Sequence, residues 1–160
     1  MSETNELFAA VPQIGRVEWI GIAPQAQAPV QVVESATAEV GSGLAGDHHA
    51  TSGQASKRQV TLIQAEHLPA VAGLCGRETV DPQLLRRNIV VSGINLLSLK
   101  DRRFRIGEAV LEGTGPCVPC SLMERNLGPG GFQAMRGHGG ITTAVLQRGT
   151  IRIGDVVQVD

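Results

Sequence analysis

Two cysteines three positions apart, Cys117 and Cys120, lie in the run Gly115-Pro116-Cys117-Val118-Pro119-Cys120-Ser121. A C-x-x-C pair supports three chemistries. As a redox pair it would exploit a thiolate favoured at a helix N-terminus, although no thioredoxin-like βαβ pattern surrounds it. As half of a zinc site it would need His48, His49 or His138 to complete the ligands; the chain has no second Cys pair and no H-x₃₋₅-H spacing. As a single thiolate ligand or nucleophile, one Cys would act with the other in support. The plain structural alternative is two small buried side chains in a turn. Pro119 and the helix-like Ser121-Leu122-Met123-Glu124 place Cys120 at a helix start, where backbone N–H groups stabilise an anion. Cys75, between Leu74 and Gly76, reads as packing.

Two further clusters carry donors for an anion. Arg86-Arg87-Asn88 stands where a short helix gives way to the strand Ile89-Val90-Val91. Adjacent Arg side chains point different ways, so only one readily aims inward. An Arg fork beside an Asn amide suits a bound anion, while a solvated helix end is the alternative. Arg136-Gly137-His138-Gly139-Gly140 is a Gly-rich basic loop in which backbone can approach a ligand closely and His138 can donate. Gly41-Ser42-Gly43-Leu44-Ala45-Gly46 matches G-x-G-x-x-G, but Asp47-His48-His49 and a Thr/Ser/Gly stretch follow it. That is poor helix material, so it is read as a coincidental match and not a dinucleotide loop.

Positioning these groups requires the following elements. Ile14 to Ile22 and Val30 to Val40 read as strands bounded by Gly or Pro. Gly41 to Lys57 is a long loop expected at the mouth of the site. Arg58 to Ile63 is a strand, Gln64 to Gly73 a helix, and Asp81-Pro82 an N-cap and N1 pair opening a short helix. Phe104-Arg105-Ile106-Gly107-Glu108-Ala109-Val110 is echoed by Ile151-Arg152-Ile153-Gly154-Asp155-Val156-Val157, and both read as hairpins with a Gly-acid turn. Ser121 to Leu127 is a helix ended by Gly128, and Ile141 to Leu146 a strand. Strands outnumber helices without strict βαβ alternation. The expectation is a mainly β fold, a β-barrel with a few short helices packed outside. Residues 1–14 form a tail and 15–160 a single domain.

Length and composition narrow the function. The 160 residues, 42% hydrophobic and 18% charged, suit one globular domain with a real core. A net charge of −1 and only four aromatic side chains argue against a polyanion binder or a base-stacking platform, so nucleic acid is not expected. No apolar run approaches the ~20 residues of a membrane span, and residues 1–5 lack signal-peptide order. An odd count of 3 Cys argues against a disulfide scaffold. A cytoplasmic location is expected.

Taken in order, these pieces resemble the MOSC domain, the C-terminal domain of molybdenum cofactor sulfurases that also occurs as small bacterial proteins. Gly46-Asp47-His48 matches its early loop. Arg58-Gln59-Val60-Thr61-Leu62-Ile63 with Glu66 matches the next strand and helix. Arg86 to Leu96 matches the central signature, Phe104 to Cys120 the strand leading to the family cysteine, and Gly149 to Asp155 the closing hairpin. The resemblance implies a β-barrel and a molybdenum–pterin cofactor (molybdopterin), with Cys120, the second cysteine, at molybdenum. Thiolate is a soft ligand suited to such a metal.

On this resemblance the catalytic pair is Cys120 and Arg87. The cofactor contacts are Asp47, His48, Arg86, Arg87, Asn88, Cys117, Arg136, Gly137, His138 and Gly139. Pyridoxal phosphate is not expected, since neither Lys57 nor Lys100 sits in a Schiff-base motif. The implied activity is reduction of N-hydroxylated compounds, or carriage of sulfur or cofactor on a thiolate, with an electron-donor or sulfur-donor protein as partner. The rival is a non-enzymatic β-rich binding module whose C-x-x-C is structural or holds zinc.

Overall fold

The structure, a computed structural model, describes residues 2–51 and 56–160. Its frame is a closed mixed barrel of seven strands. These are β1 (Gly15–Ile22), β5 (Val60–Gln64), β6 (Ile89–Ser92), β7 (Arg103–Ile106), β8 (Ala109–Pro116), β9 (Ile141–Gln147) and β11 (Val156–Val159). They run in the order β11-β7-β8-β9-β5-β6-β1, and β1 returns to β11 through Gly15↔Val157 and Arg16↔Val156. Closure leaves no long unpaired edge. β2 (Gln31–Val33) adds to the far end of β1, while β3 (Ser35–Glu39), β4 (Gly43–Leu44) and β10 (Gly149–Arg152) form a separate small sheet.

Among the strands of the described residues, only β5 and β6 pair in parallel. A parallel pair needs a crossover, and residues 65–88 supply it with α2 (Leu68–Leu74) and α3 (Pro82–Leu85). Every residue of β5 is buried. Leu62 belongs to the barrel interior with Phe104, Ile106 and Leu111. Ile63 belongs to an outer cluster with Val71, Leu85, Met123, Leu127 and Met135. That outer layer is built by α2, α3, α4 (Ser121–Leu127) and α5 (Gly131–Met135). A strand covered on both faces reads as a near-continuous apolar run, as Val60, Leu62 and Ile63 do around the buried Thr61. β7 shows the one-sided alternative: Phe104 and Ile106 point inward, Arg103 and Arg105 outward.

Several local signals act as expected. Asp81 caps α3, its carboxylate accepting from the Gln83 N–H at 3.0 Å. Cys120 is the N-cap of α4, which ends at Gly128 with φ 88°. The outer α1 (Glu3–Ala9) occupies the tail and buries none of its residues.

Three readings need correction. Val30 to Val40 is not one strand: it breaks at Glu34, so that β2 joins the barrel sheet and β3 the small sheet. The second Gly-acid turn does not close a hairpin. β7 and β8 pair across Gly107-Glu108, but β10 pairs with β3 and β11 with β7 and β1. The turn at Gly154 therefore carries the chain from one sheet to the other. Gln64 to Gly73 begins as a 3₁₀ turn over Ala65–His67 before α2.

After Gly46 a 3₁₀ turn at His48–Thr51 follows, and β4 before it pairs antiparallel with β3. Neither the parallel strand nor the helix of a dinucleotide loop is present there. Part of the expected loop, residues 52–55, lies outside the described residues. Among the described residues no helix is long and apolar enough to cross a membrane.

Candidate functional site

The site grows from the end of α3. Arg86 closes that helix in the left-handed conformation, φ 58°. The reversal parts the two arginines. Arg86 turns to the opposite loop, where its Nη1 donates to the Ala28 carbonyl at 2.5 Å. Arg87 turns inward and is only 4% exposed. Its Nε donates to the Gly139 carbonyl at 2.8 Å and its Nη1 to the Leu85 carbonyl at 3.0 Å. Its Nη2 is buried without a partner. No acidic side chain among the described residues pairs with it. Burial pushes the Arg87 guanidinium down from its ordinary value; the Cys117 thiol opposes that shift, Arg58 adds to it, and the Cys120 thiol opposes it. Both thiols thus lie within electrostatic reach of one buried cation.

The Gly-rich loop is laid flush against this arrangement. Cys117 N donates to the Gly140 carbonyl at 2.8 Å. A Cβ at Gly139 would collide with the Cys117 carbonyl and stand 3.1 Å from Arg87 Nη2. Gly140 has φ 85° and lies so close to the Leu62 carbonyl that a side chain there has no space. The two thiols differ: Cys117 is 2% exposed and buried at the end of β8, whereas Cys120 is exposed. Beside Cys117 opens a groove of about 470 Å³, with Gly139 and Gly140 on one wall, Leu97, Val118 and Phe132 on others, and Arg136 at its edge.

The structure therefore brings together Arg87, Cys117 and Gly139, with Arg136 and Gly137 on the neighbouring groove, while Cys120 stands three residues on, at the start of α4. It does not bring the remaining expected residues to that seat. Asn88 is used in full elsewhere. Its Oδ1 accepts from Thr61 N at 3.0 Å and from Thr61 Oγ1 at 3.3 Å, and its Nδ2 donates to the Gly21 carbonyl at 3.1 Å and to Asp47 Oδ1 at 3.3 Å. All four hydrogen-bonding sites of the amide are engaged, so Asn88 clamps β1, β5 and β6 and offers nothing to a ligand. Asp47 belongs to the same network, accepting from Ala23 N at 2.7 Å. His48 donates to the Ala23 carbonyl from Nδ1 at 3.1 Å. Arg86, as above, serves the 24–30 loop.

His138 bonds back to the preceding helix and meets a second histidine. Its Nδ1 donates to the Ala134 carbonyl at 3.0 Å, and its ring meets His67 edge-on with centroids 5.3 Å apart. Nδ1 of His67 is buried without a partner. Burial lowers the His67 imidazole from its ordinary value, His138 adds to that, and Glu66 opposes it. Among the described residues no group of three His, Cys, Asp or Glu is placed to hold a metal ion; the side chain of His49 lies outside them. Sequence reasoning missed Leu97 and Val118 as groove walls, and no local pattern marks them. Phe132, one of four aromatics and flanked by Gly-rich turns, was the available cue.

The architecture has known counterparts. YuaD from Bacillus subtilis superposes with a TM-score of 0.79 at 21% identity, over 94% of this chain and 98% of that one. YiiM from Escherichia coli superposes with a TM-score of 0.69 at 18% identity, over 91% of this chain and 69% of YiiM. YiiM from Geobacillus stearothermophilus gives 0.71 at 16% identity, over 91% and 75%. At these identities the likeness is one of fold. No curated protein matches the chain in sequence. Residues 45–158 match the model of the MOSC domain, more than half of the chain and the barrel from β5 into β11. The chain belongs to the MOSC domain family, whose domains are associated with the molybdenum cofactor.

Proposed function

We propose that this protein binds a molybdenum–pterin cofactor at the seat formed by Arg87, the Gly139 backbone and the Cys117–Cys120 turn, and uses it to reduce N-hydroxylated compounds. One observation carries the reading: a buried guanidinium with a free N–H and no carboxylate partner. An uncompensated buried cation is costly. An anionic group of the cofactor would supply the missing charge and accept from Nη2 in a charge-assisted bond. Gly139 supports the fit, since the absent side chain leaves backbone as the surface between the groove and Arg87.

When bound, the cofactor supplies a soft metal that takes a thiolate ligand and exchanges oxygen with N–OH groups. Cys120 is exposed, so its Sγ can meet that metal without movement of the barrel. Cys117 is buried and holds the loop through its backbone bond to Gly140. Arg87 would hold the anionic end through its unpartnered Nη2. Electrons come from an external donor protein. The groove beside Cys117 suits a small organic substrate, which favours reduction over carriage of sulfur or cofactor.

The test is anaerobic purification, followed by measurement of molybdenum, zinc and oxidised pterin. Molybdenum and pterin in equal amounts are expected, and Arg87→Met should lose both while staying folded. Zinc near one per chain, with no molybdenum, overturns the proposal and restores the zinc-binding module.

A further inference from the structure

We infer that the groove beside Cys117 is a substrate subsite for a flat, apolar molecule bearing one anionic group, in the manner of an aromatic carboxylate. The inference deepens the proposed function and rests on it for the identity of the neighbouring reaction centre.

Large apolar side chains normally leave water. Here Leu97 is 61% exposed, Val118 65% and Phe132 37%, and all three line this one groove. Pro116 and Pro119 extend the apolar surface. The volume of about 470 Å³ falls in the range of small-molecule sites. Gly137, Gly139 and Gly140 make one wall from backbone alone, which leaves it without projecting side chains and suits a planar ring.

The charge of the ligand follows from the edge. Among the described residues Arg136 is the one charged residue on the lining, and none of them brings a carboxylate there. Its Nη1 donates to Gln133 Oε1 at 2.9 Å, and the rest of its donor fork is unpaired. A carboxylate suits that fork. Apolar walls with a single Arg at the rim select a molecule with an apolar body and an acidic end, and disfavour a cation or a sugar.

The experiment is ligand-observed saturation-transfer NMR on the full chain. The probes are 2-naphthoate and its neutral isostere 2-naphthylmethanol. Naphthoate should bind about tenfold tighter than the alcohol, the size of one charge-assisted contact at a partly wet rim. Arg136→Gln should erase that preference and leave the alcohol unchanged. Phe132→Ser should weaken both probes about tenfold. Absence of binding by both probes, or naphthoate binding indifferent to both substitutions, overturns the inference. So does a dimer in sedimentation velocity that Phe132→Ser dissociates while naphthoate fails to bind, because the groove would then be covered by a second copy. Molybdenum is measured on the same sample. Naphthoate binding without molybdenum or pterin removes the cofactor reading alone; molybdenum without naphthoate binding removes the subsite alone.

Discussion

Arg87 and Gly139, 52 residues apart, are joined by a 2.8 Å hydrogen bond from Nε to the carbonyl, and the glycine leaves no space for a side chain between Arg87 and Cys117. The bond ties the end of α3, which leads into β6, to the loop before β9, two segments on opposite sides of β5. It also fixes the guanidinium so that Nη2 is left without a protein partner.

Gly139→Ala should be destabilising by about 1–3 kcal/mol, the usual cost of overpacking. The obstacle is backbone, the Cys117 carbonyl, which cannot swing aside as a side-chain tip can. Thermal denaturation reads the loss. Molybdenum content should fall with it, since displacing the loop moves the Arg87 acceptor. An unchanged melting temperature would show that the loop is slack.

Cys120→Ser and Cys117→Ser should separate binding from folding. Cys120 is exposed, so its replacement should change stability by less than about 0.5 kcal/mol, yet abolish molybdenum retention. Cys117 is 2% exposed, and a buried hydroxyl without a partner should cost about 1–3 kcal/mol, with a smaller loss of molybdenum. Metal analysis and urea denaturation of both variants check this. Equal losses of metal and of stability would point to two equivalent ligands instead.

Asn88→Ala should cost about 2–4 kcal/mol, because it strands the Thr61 N–H and the Gly21 carbonyl in the core. Asn88→Asp should be worse. It replaces the Nδ2 donor with a carboxylate oxygen facing Asp47 Oδ1, which lies 3.3 Å from Nδ2. Urea midpoints rank the variants. A cofactor-binding Asn88 would instead show lost molybdenum at unchanged stability.

Stability should fall in mild acid through His67. Its imidazole is held below its ordinary value near 6.5, chiefly by burial. The unfolded chain therefore takes up this proton at a higher pH than the folded protein. Between the two values the unfolded state binds more protons, so stability rises with pH across that window and is lost as pH falls from about 6.5 toward the depressed folded value. Glu66 is also held low, by the Gln64 side chain and then by the Gly93 N–H. Its loss comes later, below the ordinary carboxylate value of 4.5. Urea denaturation between pH 7.5 and 5.5 should show the first slope, and His67→Gln should flatten it. An identical slope in the variant would place the titrating group elsewhere.

Short-range chemistry was legible without coordinates. Asp81-Pro82 starts α3 because a carboxylate caps the free N–H and Pro lacks one. Gly128 stops α4 because only a residue tolerant of positive φ fits there. Cys120 was placed correctly at a helix start. Each of these depends on neighbours within a few residues.

Long-range partners decided the rest. Ile151 to Val157 has the local pattern of a hairpin, as Phe104 to Val110 has, yet only the latter closes. β3 and β1 capture β10 and β11 before they can pair with each other. In the same way Arg86, Arg87 and Asn88 are three adjacent polar residues with equal claims on an anion. One left-handed residue sends Arg86 to Ala28, the packing of β1 and β5 consumes the Asn88 amide, and both arginines keep an unmet Nη2 donor, but only that of Arg87 stands against the Gly139 backbone and the Cys117 turn. Side-chain type sets what a residue can bond to, but which of those bonds remains open is set by segments that meet only when the barrel closes.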